Sequence, residues 1–466
     1  MRKNIITDTD AYKIPHHLQY IDNLTKLYSY GESRVGSKYP FVSFFGLQMI
    51  IEDHFLQRVT DEMIEEAEYE AFMTFGTHNY FNVDAWKRVK DLGYLPIHIK
   101  AVPEGTRVGI DNVLFTMEST EEWFAKTMNS LEGPLMHTWY PTTIATRAMY
   151  IKENTKPYFD KSSDITDLIM PVSVNDFGYR GATCHEAAAR GGAGFLLHYI
   201  GSDNMPASRA LKDYYGYPGR LKSVWATEHS VATSYGPGRG EFEYVIAQLT
   251  KSDPDKIVSI VIDSYDADNF IHNVIGSDEI KNIIIQRPGR VMLRPDTGKP
   301  LVNVCKYSDM LGGIFGFTIN SKQYKTISNN VGIIQGDGMD ENSIPELYRE
   351  YIKTGWAADN VLTGSGGGLL QIDANRDTQR FAIKASYGEK DGVPFNLNKA
   401  PKTDTTKTSK AGRLKLHRMG GKYMTISSSE SSAPMFNNYT DSLRTVFENG
   451  DFHKLSFDQV LSNSEN

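Results

Sequence analysis

The stretch "LRPDTGKP", residues 293–300, ends an apolar run with Arg294, Pro295, Asp296 and Gly298. The guanidinium of Arg294 can hold two phosphate oxygens at once, and the carboxylate of Asp296 can take a hydroxyl group or a Mg²⁺ ion. The same residues also fit an ordinary turn, because proline fixes φ, aspartate can accept hydrogen bonds from nearby amides and glycine tolerates a positive φ. Taken alone, the motif leaves both interpretations open.

Similar polar segments follow six other apolar runs. In parallel α/β sheets and barrels, side chains just beyond the carboxyl ends of the strands converge on one site. Repetition of this pattern along the chain therefore predicts a common site. The polar segments in chain order are "NDFGYRG", "IGSDN", "ATEHS", "DSYDADN", "RPDTGKP", "QGDGMD" and "TGSGGGLL".

Two of these segments suit a sugar phosphate. Gly364, Gly366, Gly367 and Gly368 lack the Lys-Ser/Thr of a P-loop, and the chain has no G-x-G-x-x-G motif. A glycine run at a strand-to-helix junction can still present several backbone N–H groups to a phosphate. Asp337 in "QGDG" then suits a ribose hydroxyl or a metal ion.

Further acidic residues and one histidine add possible chemistry. Asp263, Asp266, Asp296 and Asp337 could hold Mg²⁺, which usually takes few protein ligands together with substrate phosphates. His229 follows an apolar run and has no second histidine at metal-ligand spacing, so it suits proton or phosphoryl chemistry. A buried structural histidine is the alternative.

The elements that must position these residues are indicated by the spacing of apolar runs. From about residue 165 to 385 the runs leave room for crossover helices, which predicts parallel strands. The first 150 residues mix alternating stretches with the helical pattern "DEMIEEAEYEAFMTF", and the chain after Ser386 is hairpin-like. The predicted parallel strands lie in "LIMPVSV", "GFLLHYI", "KSVWAT", "IVSIVID", "RVMLRP", "VGIIQGDG" and "NVLTGSGGG", and the alternating stretches are "KLYSYGES" and "FVSFFGLQMII".

Composition restricts the class of protein. The 466 residues are 40% hydrophobic and 23% charged, which is typical of a globular protein. A net charge of −7 gives no electrostatic basis for nucleic acid or an anionic membrane as the main partner. Two cysteines, Cys184 and Cys305, exclude a disulfide framework and a cysteine-based zinc site. The N-terminal segment lacks the apolar core of a signal peptide, so we expect a cytoplasmic protein.

The motifs together resemble those of the nicotinamide phosphoribosyltransferases, a branch of the type II phosphoribosyltransferase family. The resemblance spans about residues 5 to 420. The motifs that carry it, in the same order as in that branch, are "TDTDAYKIPHHLQY", "NDFGYRGATCHEAA", "ATEHS", "VIDSYD", "LRPDTGKP", "IIQGDGMD", "GSGGGLLQ" and "SKAGRLKLHR".

The resemblance implies an α/β fold with two domains. Residues 161–385 would form an α/β-barrel-like domain with parallel strands, and residues 1–160 and 386–466 would form an α+β, sandwich-like domain. The implied reaction joins nicotinamide to phosphoribosyl pyrophosphate with Mg²⁺, in a homodimer with active sites at the interface. ATP hydrolysis through a phosphohistidine would be coupled to it. A nicotinate phosphoribosyltransferase and a non-catalytic nucleotide-binding homologue remain alternatives.

The resemblance also implies roles for particular residues. Phe177 and Tyr12 of the partner subunit would sandwich the pyridine ring, which Arg180 would help to hold. Asp203 and Ser259 would contact the carboxamide. The catalytic set would be His229, as the phosphorylated histidine, Asp263, as its orienting carboxylate, and Asp296. The phosphoribosyl and pyrophosphate contacts would come from Arg294, Gly336, Asp337, Gly366 and Gly367, with Arg376 and Lys384 reaching in from the other chain.

Overall fold

The computed structural model describes residues 3–399, 409–428 and 439–465. These residues form two compact units, of which the first comprises Met1–Thr146, Leu211–Tyr217 and Ala374–Asn466. The second unit comprises Arg147–Ala210 and Pro218–Asp373. The sequence predicts domain changes after residues 160 and 385, whereas the compact units change at 146 and 373. One continuous helix, Trp139–Ser162, runs through the unit boundary at residue 146, so helical periodicity gives no signal of a boundary there.

The strands are numbered in chain order through both units. They are β1 (Leu24–Ser33), β2 (Phe41–Ser43), β3 (Ile97–Ala101), β4 (Arg107–Gly109), β5 (Val113–Ser119), β6 (Val174–Asp176), β7 (Gly201–Ser202), β8 (Trp225–Ala226), β9 (Val258–Val261), β10 (Val291–Arg294), β11 (Phe317–Ile319), β12 (Lys325–Ile327), β13 (Val331–Gln335), β14 (Val361–Ser365), β15 (Phe381–Lys390), β16 (Val393–Asn396), β17 (Leu414–Met419), β18 (Lys422–Ser427), β19 (Arg444–Glu448) and β20 (Asp451–Phe452).

The α-helices are numbered in the same way, and short 3₁₀ and π segments occur between and beside them. They are α1 (His16–Gln19), α2 (Leu47–Ile50), α3 (Asp61–Phe75), α4 (Val83–Leu92), α5 (Glu132–Met136), α6 (Trp139–Ser162), α7 (Thr166–Ile169), α8 (His185–Phe195), α9 (Met205–Tyr215), α10 (His229–Thr233), α11 (Arg239–Lys251), α12 (Ala267–Asn269), α13 (Asp278–Gln286), α14 (Pro300–Phe315), α15 (Ser343–Tyr351), α16 (Gly367–Leu370) and α17 (Phe457–Glu465).

The first unit is built on an antiparallel sheet in the order β16-β15-β1-β5-β3-β19-β20. Both chain ends contribute strands to it. The antiparallel pair β2–β4 and the hairpin β17–β18 form two separate two-stranded sheets. Helix α3 spans the predicted "DEMIEEAEYEAFMTF" run. It begins where the side chain of Thr60 accepts a hydrogen bond from the Met63 amide and ends at Gly76, which has a φ of 70°. The α+β class predicted for both chain ends is therefore confirmed.

The second unit is built on a parallel sheet in the order β7-β6-β14-β13-β10-β9-β8. A parallel bridge between Gly201 and Lys222 joins the β7 edge to the segment just before β8, so the sheet curls into a barrel-like form. Strands β9 and β13 are buried along their whole length, as expected when helices cover one face of a parallel sheet and the barrel interior fills the other. The predicted barrel-like class is confirmed.

Three local predictions are wrong. "LIMPVSV" was predicted as a strand, but Thr166–Ile169 and Met170–Val172 are helical and the strand begins only at Val174. "GFLLHYI" was predicted as a strand, but α8 extends to Phe195 and only Gly201–Ser202 pairs in the sheet. "FVSFFGLQMII" was predicted to alternate throughout, but the strand stops at Ser43 and a helix starts after Gly46, whose φ is 96°. Short apolar runs that are buried on every side cannot be assigned to strand or helix by periodicity.

Within the described part of the chain, none of the helices combines the length and apolar character needed to cross a lipid bilayer.

Candidate active site

A cavity of about 920 Å³ opens at the carboxyl ends of the parallel strands in the second unit. Its wall is made by the loops that follow β6, β7, β8, β10, β13 and β14. The structure therefore brings together side chains and glycines from polar segments that are far apart in sequence. The predicted site residues that line it are Phe177, Arg180, Asp203, Arg294, Asp296, Gly336, Asp337, Gly366 and Gly367.

Two glycines at the ends of neighbouring strands leave the space that the ring of Phe177 occupies. A Cβ atom at Gly364 would lie 2.1 Å from a ring carbon, and one at Gly336 would lie 3.2 Å from the ring. The Phe177 amide donates a 3.0 Å hydrogen bond to the carbonyl of Ser365. These glycines therefore leave the space that an aromatic ring needs at the cavity floor.

Asp176, which the sequence analysis did not select, supports this loop from beneath. Its carboxylate accepts hydrogen bonds of 2.8 Å from the Gly178 amide and 3.0 Å from the Asn204 side chain, and it is fully buried. Burial raises the pKa of Asp176 to about 6, and the negative charge of Asp203 adds to the rise against the lowering effect of these hydrogen bonds. Asp176 thus links the Phe177 loop to the Asp203 loop.

Asp203 presents an exposed carboxylate to the cavity. The hydroxyl of Ser223 donates a 2.5 Å hydrogen bond to one of its oxygens, and its backbone amide donates a 3.0 Å bond to the carbonyl of Asp176. A carboxylate held in this way can accept further hydrogen bonds from a ligand.

His229 lies beside two carboxylates. Its Nε2 atom is 3.1 Å from an oxygen of Asp263, and its Nδ1 atom is 3.8 Å from an oxygen of Asp296. The other oxygen of Asp263 accepts 2.7 Å bonds from the Asp296 amide and from the Thr297 hydroxyl. Although burial by itself would raise the pKa of Asp263, these hydrogen bonds and the one from His229 lower it on balance.

This arrangement keeps Asp263 ionised and fixes the imidazole. If Nε2 carries the proton that Asp263 accepts, Nδ1 carries the lone pair. The structure therefore brings His229, Asp263 and Asp296 together as one cluster. The cluster lies next to the cavity, because Asp296 and Glu228, the residue before His229, form part of the cavity wall. Thr297, which the motif did not single out, completes the cluster through its hydroxyl bond to Asp263.

Ser259 is placed differently. It lies on β9 with only 3% of its surface exposed, and its carbonyl accepts a 3.0 Å bond from the Thr227 amide. It lines a second cavity of about 750 Å³, whose wall also includes Phe177, Asp203 and Arg294. The second cavity thus shares residues with the first, and a contact between Ser259 and a base stays a prediction.

Three predicted residues lie in the first unit. Tyr12 is 62% exposed, and its ring packs edge-on against His16. Arg376 is exposed and pairs with Asp377 at 3.0 Å. Lys384 lies on β15 with its Nζ atom 3.9 Å from Glu32, and burial lowers its pKa. Their predicted contribution to the site of a second subunit is not tested by a single chain.

Some of the candidate Mg²⁺ ligands accept hydrogen bonds within the protein, whereas others line the cavity. Both oxygens of Asp263 accept hydrogen bonds within the protein, and Asp266 accepts one from the Asn269 amide at the start of α12. Asp296 and Asp337 line the cavity. No cluster of three or more His, Cys, Asp or Glu side chains suited to a metal occurs among the described residues. The residues present fit a Mg²⁺ ion held by one or two carboxylates together with substrate phosphates.

Solved structures share this fold over nearly the whole chain. Human nicotinic acid phosphoribosyltransferase superposes with a TM-score of 0.64 at 14% identity, covering 98% of this chain and 93% of that chain. The nicotinate-nucleotide pyrophosphorylase of Pyrococcus furiosus gives a TM-score of 0.60 at 14% identity, covering 100% and 96%. The fold is that of a type II phosphoribosyltransferase.

Sequence comparisons place the chain within this class. Residues 172–451 match the Nicotinate phosphoribosyltransferase (NAPRTase) family, and residues 4–99 match the Nicotinamide phosphoribosyltransferase, N-terminal domain. The chain is 36% identical to the nicotinamide phosphoribosyltransferase of Xanthomonas campestris, over 99% of this chain and 98% of that protein. It is 31% identical to that of Acinetobacter baylyi, over 96% and 94%. The chain belongs to the nicotinate phosphoribosyltransferase family.

Proposed function

We propose that this protein is an enzyme that transfers phosphoribosyl from phosphoribosyl pyrophosphate to nicotinamide, forming nicotinamide mononucleotide and pyrophosphate in NAD salvage. The relatives from Xanthomonas and Acinetobacter are named for this activity, and the chain matches each of them over nearly its whole length. The match of residues 4–99 to the nicotinamide branch agrees with it. The observation that carries the choice of base is the exposed carboxylate of Asp203 in the same cavity as Phe177.

Asp203 discriminates between the amide and the acid by charge. A carboxylate on the base about 4 Å from Asp203 would be repelled by about 1 kcal/mol in water and about 4 kcal/mol at an effective dielectric constant of 20. The larger value corresponds to about a thousandfold. Nicotinamide carries no charge there and can donate an N–H to the carboxylate. The site therefore favours the amide.

The transfer step requires stabilisation of separated charge. Positive charge grows on C1′ of the ribose while pyrophosphate leaves with negative charge. Arg294 would hold the departing phosphates, and Asp296 and Asp337 would bind ribose hydroxyls or stabilise the positive sugar. Bound Mg²⁺ would neutralise charge on the pyrophosphate. The pyridine nitrogen attacks with its own lone pair, so the reaction needs no general base.

His229 would serve an ATP-coupled step rather than the transfer itself. Its Nδ1 lone pair would attack the γ-phosphorus of ATP while the bond to the bridging oxygen breaks and ADP departs. Water would later cleave the phosphohistidine to phosphate. Asp263 would hold the Nε2 proton during the attack, because it lies 3.1 Å from that nitrogen.

Tyr12, Arg376 and Lys384 would complete the cavity of a second subunit in a homodimer. All three belong to the first unit, whereas the cavity belongs to the second. A cytoplasmic location, as expected from the sequence, is part of the same proposal.

The proposed reaction can be tested by product analysis. Purified protein is mixed with phosphoribosyl pyrophosphate, Mg²⁺ and either nicotinamide or nicotinate in parallel reactions, and the products are identified by mass spectrometry and a pyrophosphate assay. We expect equal amounts of nicotinamide mononucleotide and pyrophosphate, and a large loss of both in Asp296→Asn. Formation of product from nicotinate alone would favour the acid-specific alternative, and no product from either base would favour a non-catalytic homologue.

A further inference from the structure

A buried arginine outside the cavity connects two of the loops that form it. Arg147 lies in α6 with none of its surface exposed, and its Nε atom is 2.5 Å from a carboxylate oxygen of Glu341. Glu341 is itself 4% exposed and directly follows the "QGDGMD" loop after β13. The ion pair therefore anchors one end of the loop that carries Gly336 and Asp337.

The remaining donors of the same guanidinium bind the glycine loop after β14. One terminal nitrogen donates to the carbonyls of Gly368 at 3.2 Å and Leu369 at 2.6 Å. The other donates to the carbonyls of Ile372 at 2.8 Å and Asp373 at 3.2 Å. A single planar fork thus holds four carbonyls of one loop and a carboxylate of the other, which the point charge of a lysine cannot reproduce.

The two loops also contact each other directly. The hydroxyl of Ser365 donates a 2.6 Å hydrogen bond to the carbonyl of Met339. A Cβ atom at Gly368 would lie 2.6 Å from that same carbonyl, so only glycine fits there without displacement. The position of the loop after β13 therefore constrains the position of the glycine loop after β14.

The contacts with Arg147 also orient the peptide groups of the glycine loop. The four carbonyls named above accept hydrogen bonds from the buried guanidinium, and the amides of Leu369 and Gln371 donate to the carbonyls of Gly366 and Gly367, respectively. Within the described residues, the amide N–H groups of Gly366 and Gly367 donate no hydrogen bond to the protein. Both glycines line the cavity, so these N–H groups remain available for an anion.

We propose that Arg147, with Glu341, is a positioning residue that sets the spacing of the two glycine loops and thereby the affinity for the phosphoribosyl substrate. The inference rests on the proposed function, because it takes these loops to bind the ribose and its phosphate. The competing explanation is a buried ion pair that supports folding only. A positioning role predicts a raised KM for phosphoribosyl pyrophosphate when the ion pair is changed, whereas a folding role predicts lower stability with unchanged KM values.

The test compares Arg147→Lys with wild-type protein and with Arg287→Lys. Arg287 is a matched control, because it is also buried and donates to the carbonyls of Leu249, Asp253 and Lys256 in the same unit. For Arg147→Lys we expect the KM for phosphoribosyl pyrophosphate to rise about tenfold or more, since small displacements of binding groups are costly. The KM for nicotinamide should change by less than about threefold, and Arg287→Lys should alter neither.

A second variant keeps the test informative if Arg147→Lys folds poorly. Glu341→Gln leaves the four carbonyl contacts in place and removes only the ionic anchor. It should raise the same KM by a smaller factor. Unchanged KM values in both Arg147→Lys and Glu341→Gln, with thermal stability reduced as in Arg287→Lys, would overturn the proposal.

Calorimetric binding of phosphoribosyl pyrophosphate with Mg²⁺ separates this inference from the proposed function. If wild-type protein binds the compound but converts neither base, the proposed reaction fails. Weaker binding by Arg147→Lys would then still support the positioning role. If wild-type protein does not bind the compound, both proposals fail.

Discussion

Gly364 and Phe177 are in direct contact: a Cβ atom at position 364 would lie 2.1 Å from a carbon of the phenylalanine ring. Gly364→Ala must therefore push the ring out of its place at the cavity floor. We expect a higher KM for nicotinamide and a loss of about 1 to 3 kcal/mol in stability from overpacking. Steady-state kinetics and denaturant unfolding measure the two effects.

Gly313→Ala is the matched control for this substitution. Gly313 lies on the exposed side of α14, and a Cβ there would meet no atom within 4 Å. Alanine is favoured over glycine within a helix by about 0.5 to 1 kcal/mol, so the control should be slightly more stable than wild type with unchanged kinetics. A Gly364→Ala protein with wild-type KM for nicotinamide would show that Phe177 does not contact the base.

The contact between His229 and Asp263 predicts a separation between ATP coupling and transfer. His229→Ala should retain basal mononucleotide formation but lose ATP stimulation and acid-labile phosphate incorporation. Asp263→Asn should reduce phosphate incorporation at least about tenfold, because the imidazole loses the group that fixes its tautomer. Labelled γ-phosphate trapping measures this.

The exposed His272 supplies a control for the histidine variants. His272→Ala should incorporate phosphate as the wild type does. Persistent acid-labile labelling of His229→Ala would assign the phosphorylated residue elsewhere, and it would remove the role proposed for this cluster.

Asp176 predicts a specific dependence of stability on pH. Its pKa is about 6 in the folded protein against an ordinary value of 3.8, so the folded state binds the proton more tightly than the unfolded state. The stabilisation is fully present below about pH 4 and is lost as the pH rises through 6. With 1.36 kcal/mol per pKa unit, the free energy of unfolding of wild type minus that of Asp176→Asn should fall by about 2 to 3 kcal/mol between pH 4 and 7.

Denaturant unfolding of both proteins across this pH range measures the difference. Asp164 gives a control of opposite sign, because hydrogen bonds from Ser321 lower its pKa. The difference between wild type and Asp164→Asn should shrink as the pH falls. A constant difference for Asp176→Asn would mean that this carboxyl group titrates as it does in the unfolded chain.

The sequence predicted which polar segments meet at one cavity better than it predicted the residues that support those segments. Polar segments such as those around Asp203 and Gly366 could be recognised because each follows a short apolar run, and parallel strands bring their carboxyl ends together. The strand in "GFLLHYI" was wrong because an apolar run that is buried on all sides has no period to distinguish strand from helix.

Supporting residues left no local signal. Arg147 lies within a mostly buried helix and outside every motif, and its partners are 194 to 226 residues away along the chain. Asn204 and Ser223 gain their importance only through contacts with Asp176 and Asp203. Such contacts depend on tertiary packing, which spacing in a single sequence does not encode.

Subunit mixing tests the proposed homodimer. Asp296→Asn impairs the cavity of its own chain, whereas Lys384→Ala would impair the cavity of the other subunit. When the two inactive proteins are mixed, denatured and refolded together, about half of the dimers contain one chain of each kind. Each such dimer has one intact site out of two, so the mixture should recover about a quarter of wild-type activity. Each protein refolded alone is the control. Absence of recovery would contradict shared active sites.

Choice of base is the most direct test of the role assigned to Asp203. Equal concentrations of nicotinamide and nicotinate compete in one vessel with limiting phosphoribosyl pyrophosphate, so the ratio of the two mononucleotides gives the ratio of the kcat/KM values. Wild-type protein should form the amide product in excess by about a hundredfold or more, and Asp203→Asn should bring the ratio toward unity. Equal products from the wild type, or an unchanged ratio in Asp203→Asn, would contradict selection of the amide by this carboxylate.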